Sequence, residues 1–589
     1  MPRHHCLRNV PGMAWGISVL RGAAAAIVVA VLMFGLALLA DLADSESRLI
    51  FLVGAAAGVA LGLMARGEMR FQLSGVFLVG LGAVVSGLAT GWGWLEYSGV
   101  IGAGLAAVWL MTGERLPTSR WHWLVAGGVV ALLVAIVILP SVLDGGTLDF
   151  DESAYGVKAK AWLEDTPDTG WTAHRGIAMS LYGYVTLAVG GSEPGLRLLG
   201  LAGLLGLAAG VWLLGRHLGG PRVGAIAAVA IVAGPAVLRR GSEYLSDVPA
   251  AAALVFCMVI VWRELGRDEA ATYRLLWALP VAWIAFYLRY QSILSLGLIA
   301  LTVAVLWWPK LRRRPGPVLL TVAIGLIGLI PHFVHAIALT GKPWGILTYT
   351  GGLAERAYVG QGLVDYANQL GWPLAGFVGP ILLVAAIVGL ATSWRHRSLR
   401  QRYLFLLLPA SLQVIALGLL SHGEPRFIFF PLALIVVGGA IAVDAWISRG
   451  NRVAVATAWG LVVVLVGSIA FSAAETRATV EHRALVNSSI QLAAEVVRAE
   501  SGTATCAVLT TFSPQVTFYS GCSTNEFQPG LGPETAVESL EGEHRFMVVV
   551  EDARRQPEGP DLAAYLDLTS GEPVLIERDL DVAVYAFAD

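Results

Sequence analysis

Charged residues are scarce in this sequence: Asp, Glu, Lys and Arg make up 14% of its 589 residues, against about 25% in a typical soluble protein. Hydrophobic residues make up 56%, and the mean hydropathy is +0.69. A soluble protein of this composition would have too few polar side chains to cover its surface. Four cysteines are too few for a disulfide-rich secreted scaffold, and the apolar content excludes a disordered chain. The composition therefore indicates a polytopic membrane protein.

Two kinds of functional motif are also missing. The sequence has no Walker-type Gly-rich loop, so nucleotide hydrolysis is not expected. It has no basic tract interleaved with aromatic residues, so nucleic acid is not an expected partner.

Fifteen windows without charged residues are long enough, or nearly so, to cross a bilayer as helices. With a cytoplasmic N-terminus, fifteen crossings put the Lys and Arg blocks at 310–314 and 395–402 on the cytoplasmic side. A sixteenth window, 176–192, disturbs this distribution if it spans, so we predict that it is re-entrant or interfacial. The fifteen windows are 22–40, 49–65, 71–95, 97–113, 121–143, 198–214, 223–238, 248–262, 275–288, 290–309, 315–341, 366–394, 403–423, 427–443 and 453–474.

The composition changes sharply near residue 475. Residues 475–589 carry 19 acidic and 7 basic residues, and strand-like runs alternate with helix-like ones. We predict an extracytoplasmic α/β domain there, after a transmembrane core at 121–474 and four additional helices within 1–120. Cys506 and Cys522 fall in this outer domain, where a disulfide between them is favoured over two unpaired buried thiols.

The longest loop between predicted spans, 141–193, contains three carboxylates in four positions: Asp149, Asp151 and Glu152. Such a cluster costs free energy unless a cation or a protonation event offsets the repulsion. A solvated acidic turn is the plain alternative, and the cluster alone does not decide between the two.

The order of motifs around this cluster resembles the GT-C fold glycosyltransferases, in particular the dolichyl-phosphate-mannose protein mannosyltransferase and lipid A aminoarabinose transferase group. That group has an Asp-Glu-x-x-Tyr in its first outer loop, a basic residue before a partly embedded segment, and a Gly-x-Ser-Glu-x-x-x-Arg-Leu start to the next helix. The matching residues here are Asp151, Glu152, Tyr155, Arg175, Gly190, Ser192, Glu193 and Arg197. The resemblance runs from about 121 to 474. The basic position departs from the group's usual Lys followed by prolines, since Arg175 precedes Gly176.

The resemblance implies a polyprenyl-phosphate sugar as donor and a reaction at the outer surface of the plasma membrane. It implies that Asp151 is the general base and that Glu152 shares the catalytic site, while Asp149 and Tyr155 hold the acceptor or a divalent cation. No other cofactor is implied, and the group's members differ in their need for metal. The implied donor-phosphate residues are Arg175, Arg289 and Arg426. Arg239 and Arg240 are further candidates, because a basic pair on the outer side runs against the positive-inside bias and calls for an anion.

Plain structural roles stay open for these arginines. Arg239 and Arg240 have Glu243 and Asp247 nearby as possible ion-pair partners. Arg289 and Arg426 have the option of snorkelling to the membrane interface.

Two other functions compete with the enzyme. A transporter or flippase of a lipid-linked saccharide should carry internal repeats and charges at mid-membrane depth, yet we find no convincing repeat and the charges fall mainly at helix ends. The third hypothesis is a relative of the enzymes that lacks catalytic activity and whose outer domain binds wall polymer. The acceptor is a lipid, a protein or a glycan. The Ala- and Gly-rich usage is typical of a bacterium with GC-rich coding.

Overall fold

The computed structural model describes the chain from Gly127 onward, except for residues 129, 132–133, 144, 267–271, 353–356, 450–451, 529–530, 551–555, 577–581 and 588–589. The four additional helices predicted within 1–120 lie outside the described residues.

The described membrane core is helical throughout. A π-helical turn at Val134–Ile138 leads into the first helix, and 3-10 turns at Tyr273–Trp277 and Pro425–Ile428 precede two later ones. The helices are α1 (Leu139–Leu143), α2 (Phe150–Glu164), α3 (Ile177–Ala188), α4 (Glu193–Gly219), α5 (Pro221–Val232), α6 (Pro235–Arg240), α7 (Asp247–Leu265), α8 (Ala278–Leu288), α9 (Ser292–Leu311), α10 (Pro315–Ile327), α11 (Ile330–Thr340), α12 (Gly345–Gly352), α13 (Gln361–Gln369), α14 (Trp372–Ala375), α15 (Val378–Ser393), α16 (Arg397–Leu420), α17 (Phe429–Ile447) and α18 (Arg452–Ser501).

Six segments of the described residues are long and apolar enough to cross a membrane. They comprise α4, α7, α9, the pair α10–α11, α16, and α17 with its preceding 3-10 turn. The buried faces of α4, α7, α9, α16 and α17 form one large apolar core, in which α4 packs against α5 and α7, and α17 packs against α15 and α16. A multi-helix membrane core is thus present.

Three predicted spans are divided in the structure, one of them window 315–341, which contains α10 and α11. Window 366–394 contains parts of α13 and α15 with α14 between them, and window 223–238 is split between α5 and α6. Gly376 adopts a left-handed φ of 64° before α15, a conformation that glycine accepts without steric cost. Pro235 begins α6, because proline has no backbone N–H to continue the preceding helix. Apolar composition alone did not reveal these breaks.

The polar-interrupted window 176–192 forms the helix α3. Its 12 residues rise roughly 18 Å, whereas a bilayer core is about 30 Å thick. Helix α3 packs against α2 and α8. That this segment is re-entrant or interfacial stays a prediction.

Helices α4, α7 and α9 begin, and α16 ends, at the end of the bundle that holds the acidic loop. At that end, Arg426 contacts Asp151 and Arg289 pairs with Asp247. At the other end, Lys310 donates to the Leu265 carbonyl at 3.0 Å and Arg402 to the Leu218 carbonyl at 2.7 Å. The two basic blocks used for the topology prediction therefore lie opposite the carboxylate cluster.

Helix α18 joins the core to the C-terminal part of the chain. It is 50 residues long and runs without interruption past residue 475, so the change in composition occurs within a helix rather than at a loop. Its C-terminal half packs Ile490, Ala493 and Val497 against the strands of the C-terminal sheet.

The C-terminal residues form a five-stranded mixed sheet in the order β2-β1-β3-β5-β4. Strand β1 is parallel to β2 and β3, and β5 is antiparallel to β3 and β4. The strands are β1 (Cys506–Leu509), β2 (Ser523–Asn525), β3 (His544–Val550), β4 (Thr569–Ile576) and β5 (Val582–Phe587), with helices α19 (Ser513–Ser520), α20 (Pro533–Glu538) and α21 (Gly559–Leu566).

A disulfide joins Cys506 to Cys522, 16 positions apart, and encloses α19. Helix α19 in turn packs directly on α2 of the acidic loop. The cross-link therefore constrains the element of the C-terminal sheet that contacts the candidate site.

Replacing both cysteines, Cys506→Ser with Cys522→Ser, is expected to destabilise the C-terminal sheet by about 3 kcal/mol, since a cross-link over about 15 residues removes that much chain entropy from the unfolded state. Urea-dependent proteolysis of the full-length protein measures the effect. Cys257→Ala, which removes a buried free thiol in α7, serves as the control. Equal resistance of the C-terminal strands in wild type and double variant would contradict the expectation.

Candidate active site

The carboxylate cluster itself starts helix α2. Asp149 is the N-cap: its side chain accepts from the N–H of Glu152 and, at 2.8 Å, from that of Phe150, while its own N–H donates to Glu152 Oε2 at 2.8 Å. This reciprocal arrangement is a capping box. Two of the three carboxylates are therefore used to fix the helix start, and the third, Asp151, is left to other partners.

Asp151 lies between two arginines from distant parts of the chain. Arg175 Nη2 donates to Oδ1 at 2.9 Å, and Arg426 Nη1 donates to Oδ2 at 2.6 Å. Burial alone raises the pKa of Asp151, but the charges and hydrogen bonds of Arg175 and Arg426 lower it well below its usual range. Asp151 is therefore ionised near neutral pH, and 28% of its side chain is exposed.

The backbone after Arg175 explains how this arginine reaches the site. Gly176 lies against the end of α8, where a Cβ would be 2.0 Å from the Leu288 carbonyl oxygen. The guanidinium of Arg175 lies over the Tyr155 ring, 5.2 Å from its centroid. The Tyr155 hydroxyl is 3.2 Å from Ser246 Oγ, so Tyr155 supports Arg175 and α7 rather than facing open solvent.

Glu152 is buried, with 2% of the residue exposed. It accepts hydrogen bonds from Arg197 Nε at 3.1 Å and Nη2 at 3.2 Å, and from the Tyr244 N–H at 2.7 Å. With the cap bond to Asp149, these contacts occupy both carboxylate oxygens. The geometry thus gives Glu152 a structural role at the start of α2, and its predicted catalytic role stays a prediction.

Asp149 faces an arginine that the sequence reasoning missed. Arg483 Nη1, on α18, lies 3.1 Å from Asp149 Oδ2. Burial raises the pKa of Asp149, Arg483 lowers it, and Glu152 and Glu243 raise it further, with a net increase. Within the described part of the chain, no group of three or more His, Cys, Asp or Glu side chains is placed to hold a metal ion.

The remaining predicted phosphate-binding arginines have acidic partners. Arg240 Nη1 lies 2.5 Å from Glu243 Oε2, and Arg239 Nε lies 3.6 Å from Glu243 Oε1. Arg239 and Arg240 therefore make the ion pairs with Glu243 that the sequence analysis left open as a plain structural role. Asp247 is not their partner, because it pairs with Arg289.

Arg289 is held by a second contact as well. Its guanidinium lies over the Phe427 ring, 5.1 Å from the centroid. This arginine is therefore oriented by protein groups at the start of α7 and before α17.

A cavity of about 240 Å³ opens beside Arg426. Its lining combines four apolar residues with three arginines and two glutamates, so the cavity can hold a group with both an anionic and an apolar part. A narrow crevice of about 20 Å³ on the other side shares Arg426 and Phe429 and reaches Arg289. The larger cavity is lined by Pro235, Ala236, Arg239, Arg240, Glu424, Pro425, Arg426, Phe429, Glu475, Thr476 and Thr479.

The structure thus brings Asp151, Arg175 and Arg426 into contact, and Arg239 and Arg240 line the same cavity as Arg426. Two residues near the site were not predicted from the sequence, Arg483 and Glu424. Glu424 Oε1 lies 2.5 Å from Arg426 Nε. A helical spacing of polar residues around Arg483, at 479, 483, 487 and 491, was the available signal.

Solved structures share this architecture. ArnT from Cupriavidus metallidurans, in a crystal structure bound to undecaprenyl phosphate, superposes with a TM-score of 0.58 at 15% identity, covering 78% of this chain and 98% of ArnT. The apo oligosaccharyltransferase of Archaeoglobus fulgidus gives a TM-score of 0.50 at 14% identity, covering 73% of this chain and 69% of that protein.

The sequence profile of the Alg9-like mannosyltransferase family matches residues 372–497, roughly a fifth of the chain. No curated protein matches the chain by sequence. The structural and family matches confirm the predicted resemblance to GT-C membrane glycosyltransferases, and at these identities the structural likeness establishes the fold.

Glu152→Gln is expected to destabilise the protein by about 3 kcal/mol, because removing one partner of a buried ion pair leaves the charge of Arg197 uncompensated. Thermal unfolding in detergent measures the change. Glu164→Gln is the matched control on the same helix: Glu164 is half exposed and 3.7 Å from Lys160, and exposed pairs contribute about 1 kcal/mol or less. Equal unfolding midpoints for the two variants would argue against a structural role for Glu152.

Proposed function

We propose that the chain is a glycosyltransferase that moves a sugar from a polyprenyl-phosphate donor to an acceptor at the outer face of the plasma membrane. The observation that carries the proposal is the position of Arg426, which contacts Asp151 at 2.6 Å and also borders the 240 Å³ cavity. One arginine thus adjoins both a carboxylate and a cavity whose lining is partly apolar. The undecaprenyl phosphate bound to ArnT, a protein of the same fold, supports a lipid phosphate as the ligand.

In the proposed reaction, an acceptor hydroxyl or amine attacks the anomeric carbon of the donor sugar. The new bond forms from the acceptor oxygen or nitrogen to that carbon, and the bond from the carbon to the phosphate oxygen breaks. The polyprenyl phosphate leaves with the electron pair, and the acceptor proton passes to Asp151 as general base. Arg426, Arg239 and Arg240 stabilise the charge that develops on the leaving phosphate.

The paired state of Asp151 bears on its strength as a base. A carboxylate held by two arginines binds a proton weakly, because its pKa is depressed. A donor phosphate beside Arg426 competes for this guanidinium and adds negative charge, and both effects raise the pKa of Asp151. Donor binding therefore makes Asp151 a stronger base at the stage when a proton has to be removed.

The proposed orientation puts the N-terminus in the cytoplasm and the C-terminal sheet outside the cell membrane. It is supported by the basic residues Lys310 and Arg402, which lie at the end of the bundle opposite Asp151. The acceptor is a glycan, a lipid or a protein. The charged contacts around Asp151 lie where helices end and loops begin, which favours an enzyme at the membrane surface over a transporter of lipid-linked saccharides.

Asp151→Asn is expected to lower sugar transfer at least about 100-fold, since general-base catalysis contributes roughly that much. The assay incubates the full-length protein in lipid with radiolabelled polyprenyl-phosphate sugars and measures the release of polyprenyl phosphate. Asp168→Asn is the control, because Asp168 lies in the same loop and is half exposed beside Lys158. Turnover by Asp151→Asn at the rate of the control would exclude Asp151 as the base.

The pH dependence follows from the two states of Asp151. In the free enzyme its pKa is depressed, so kcat/KM is expected to show no loss from its protonation above about pH 4, the ordinary Asp value. In the donor complex its pKa is higher, so kcat is expected to fall as the pH drops through that higher value. Profiles of kcat and of kcat/KM from pH 4 to 9 measure the two dependences. Asp149→Asn is the control that shows which of the two neighbouring carboxylates titrates. If kcat and kcat/KM showed the same pH dependence, the donor phosphate would not compete with Asp151 for Arg426.

A further inference from the structure

Helix α18 presents a polar stripe toward the candidate site. Thr476, Thr479, Arg483, Asn487 and Gln491 follow one another at intervals of three or four residues, which places them on one face of a helix. The helix is continuous from the apolar core to the C-terminal sheet. The stripe therefore connects these two parts of the molecule through a single rigid element.

The two ends of this stripe have different partners. Thr476 and Thr479 line the cavity that Arg426 also borders. Farther along, Asn487 Oδ1 accepts from Gln515 Nε2 at 3.0 Å, and Gln491 Oε1 accepts from Thr147 Oγ1 at 2.5 Å. One face of α18 thus runs from the cavity wall to the segment that precedes α2.

Arg483 lies between these ends and makes the charged contacts. Its Nη1 is 3.1 Å from Asp149 Oδ2 and 2.8 Å from Glu243 Oε1. Asp149 is the N-cap of α2, two residues before Asp151, and Glu243 immediately precedes Tyr244, whose N–H donates to Glu152. Arg483 therefore joins α18, the start of α2 and the connection between α6 and α7.

The two carboxylates depend on Arg483 to different degrees. Glu243 is buried and is also paired with Arg239 and Arg240, so it keeps two cations without Arg483. Among the ion pairs of the described residues, Asp149 has Arg483 as its sole cationic partner. Loss of Arg483 consequently acts mainly on Asp149 and on the helix start that carries Asp151.

We infer that Arg483 is a positioning residue: through Asp149 it fixes the first turn of α2 and so sets where Asp151 stands relative to the cavity. This inference rests on the proposed glycosyl transfer for its kinetic consequence, but its structural part stands independently. The same contact makes the C-terminal sheet part of the catalytic apparatus, because α18 connects that sheet to the site.

Arg483→Met removes the charge and keeps much of the side-chain volume. We expect kcat to fall about 10- to 100-fold, the order expected for a misplacement near 1 Å, while KM for the donor changes less than about threefold because no cavity-lining residue is altered. Arg483→Lys restores part of kcat by retaining the charge. Arg498→Met, the same substitution at an exposed position of the same helix, should behave as wild type.

A double variant tests the route through Asp149. If Arg483 acts through this residue, then Arg483→Met combined with Asp149→Asn lowers kcat no further than the more damaging single change, because residues in one network are not additive. Losses that multiply would show that Arg483 acts elsewhere, and the inference would be overturned.

Hydrogen exchange of the full-length protein measures the structural part without a substrate. The amides at positions 150–153 are expected to exchange faster in Arg483→Met, with those of α9 unchanged and Arg498→Met as control. If wild type transfers sugar while Arg483→Met keeps both its kcat and its exchange rates, the inference fails and the proposed function stands. If wild type transfers no sugar from any donor, the proposed function fails, and the exchange rates alone decide the positioning of α2.

Discussion

The buried ion pair between Glu152 and Arg197 is the interaction on which the rest of the site depends. A buried charge pair is favourable only when its remaining hydrogen-bonding groups are also satisfied, and here they are. Glu152 accepts from Arg197 and from the N–H groups of Asp149 and Tyr244, and Arg197 donates to the carbonyls of Gly146 and Thr147. The pair therefore ties the start of α2 to α4 and to the connection between α6 and α7.

Because the start of α2 is fixed in this way, its three neighbouring carboxylates have different partners. Glu152 is committed to Arg197, and Asp149 to the helix cap and Arg483, so mutual repulsion is offset by a different cation in each case. Asp151 is left partly exposed, with its two oxygens on Arg175 and Arg426. Asp149 is exposed to a similar degree, with 30% of its side chain exposed against 28% for Asp151, so the two residues differ in their cationic partners rather than in their exposure.

The C-terminal sheet is linked to this arrangement by packing as well as by charge. Phe518 of α19 belongs to the same apolar cluster as Leu148 and Tyr155. The Tyr519 hydroxyl accepts from the Leu148 N–H at 2.8 Å, and Lys160 donates to the Phe518 carbonyl at 2.8 Å. The acidic loop is thus enclosed between the membrane core and the C-terminal sheet, and both supply residues that set its shape.

The sequence by itself determined the membrane class, through its lack of charge, and the resemblance to GT-C membrane glycosyltransferases, through the order of the motifs around Asp151. It also identified the pairing of Cys506 with Cys522 and the short helix after Arg175, since composition and polar interruptions are local properties. It did not distinguish the partners of Glu152 from those of Asp151, because two adjacent carboxylates give the same sequence pattern whatever they contact. Only the tertiary structure decided this, by bringing Arg197, Arg426 and Arg483 from distant helices to the loop, and contacts between distant segments leave no local pattern in a single chain.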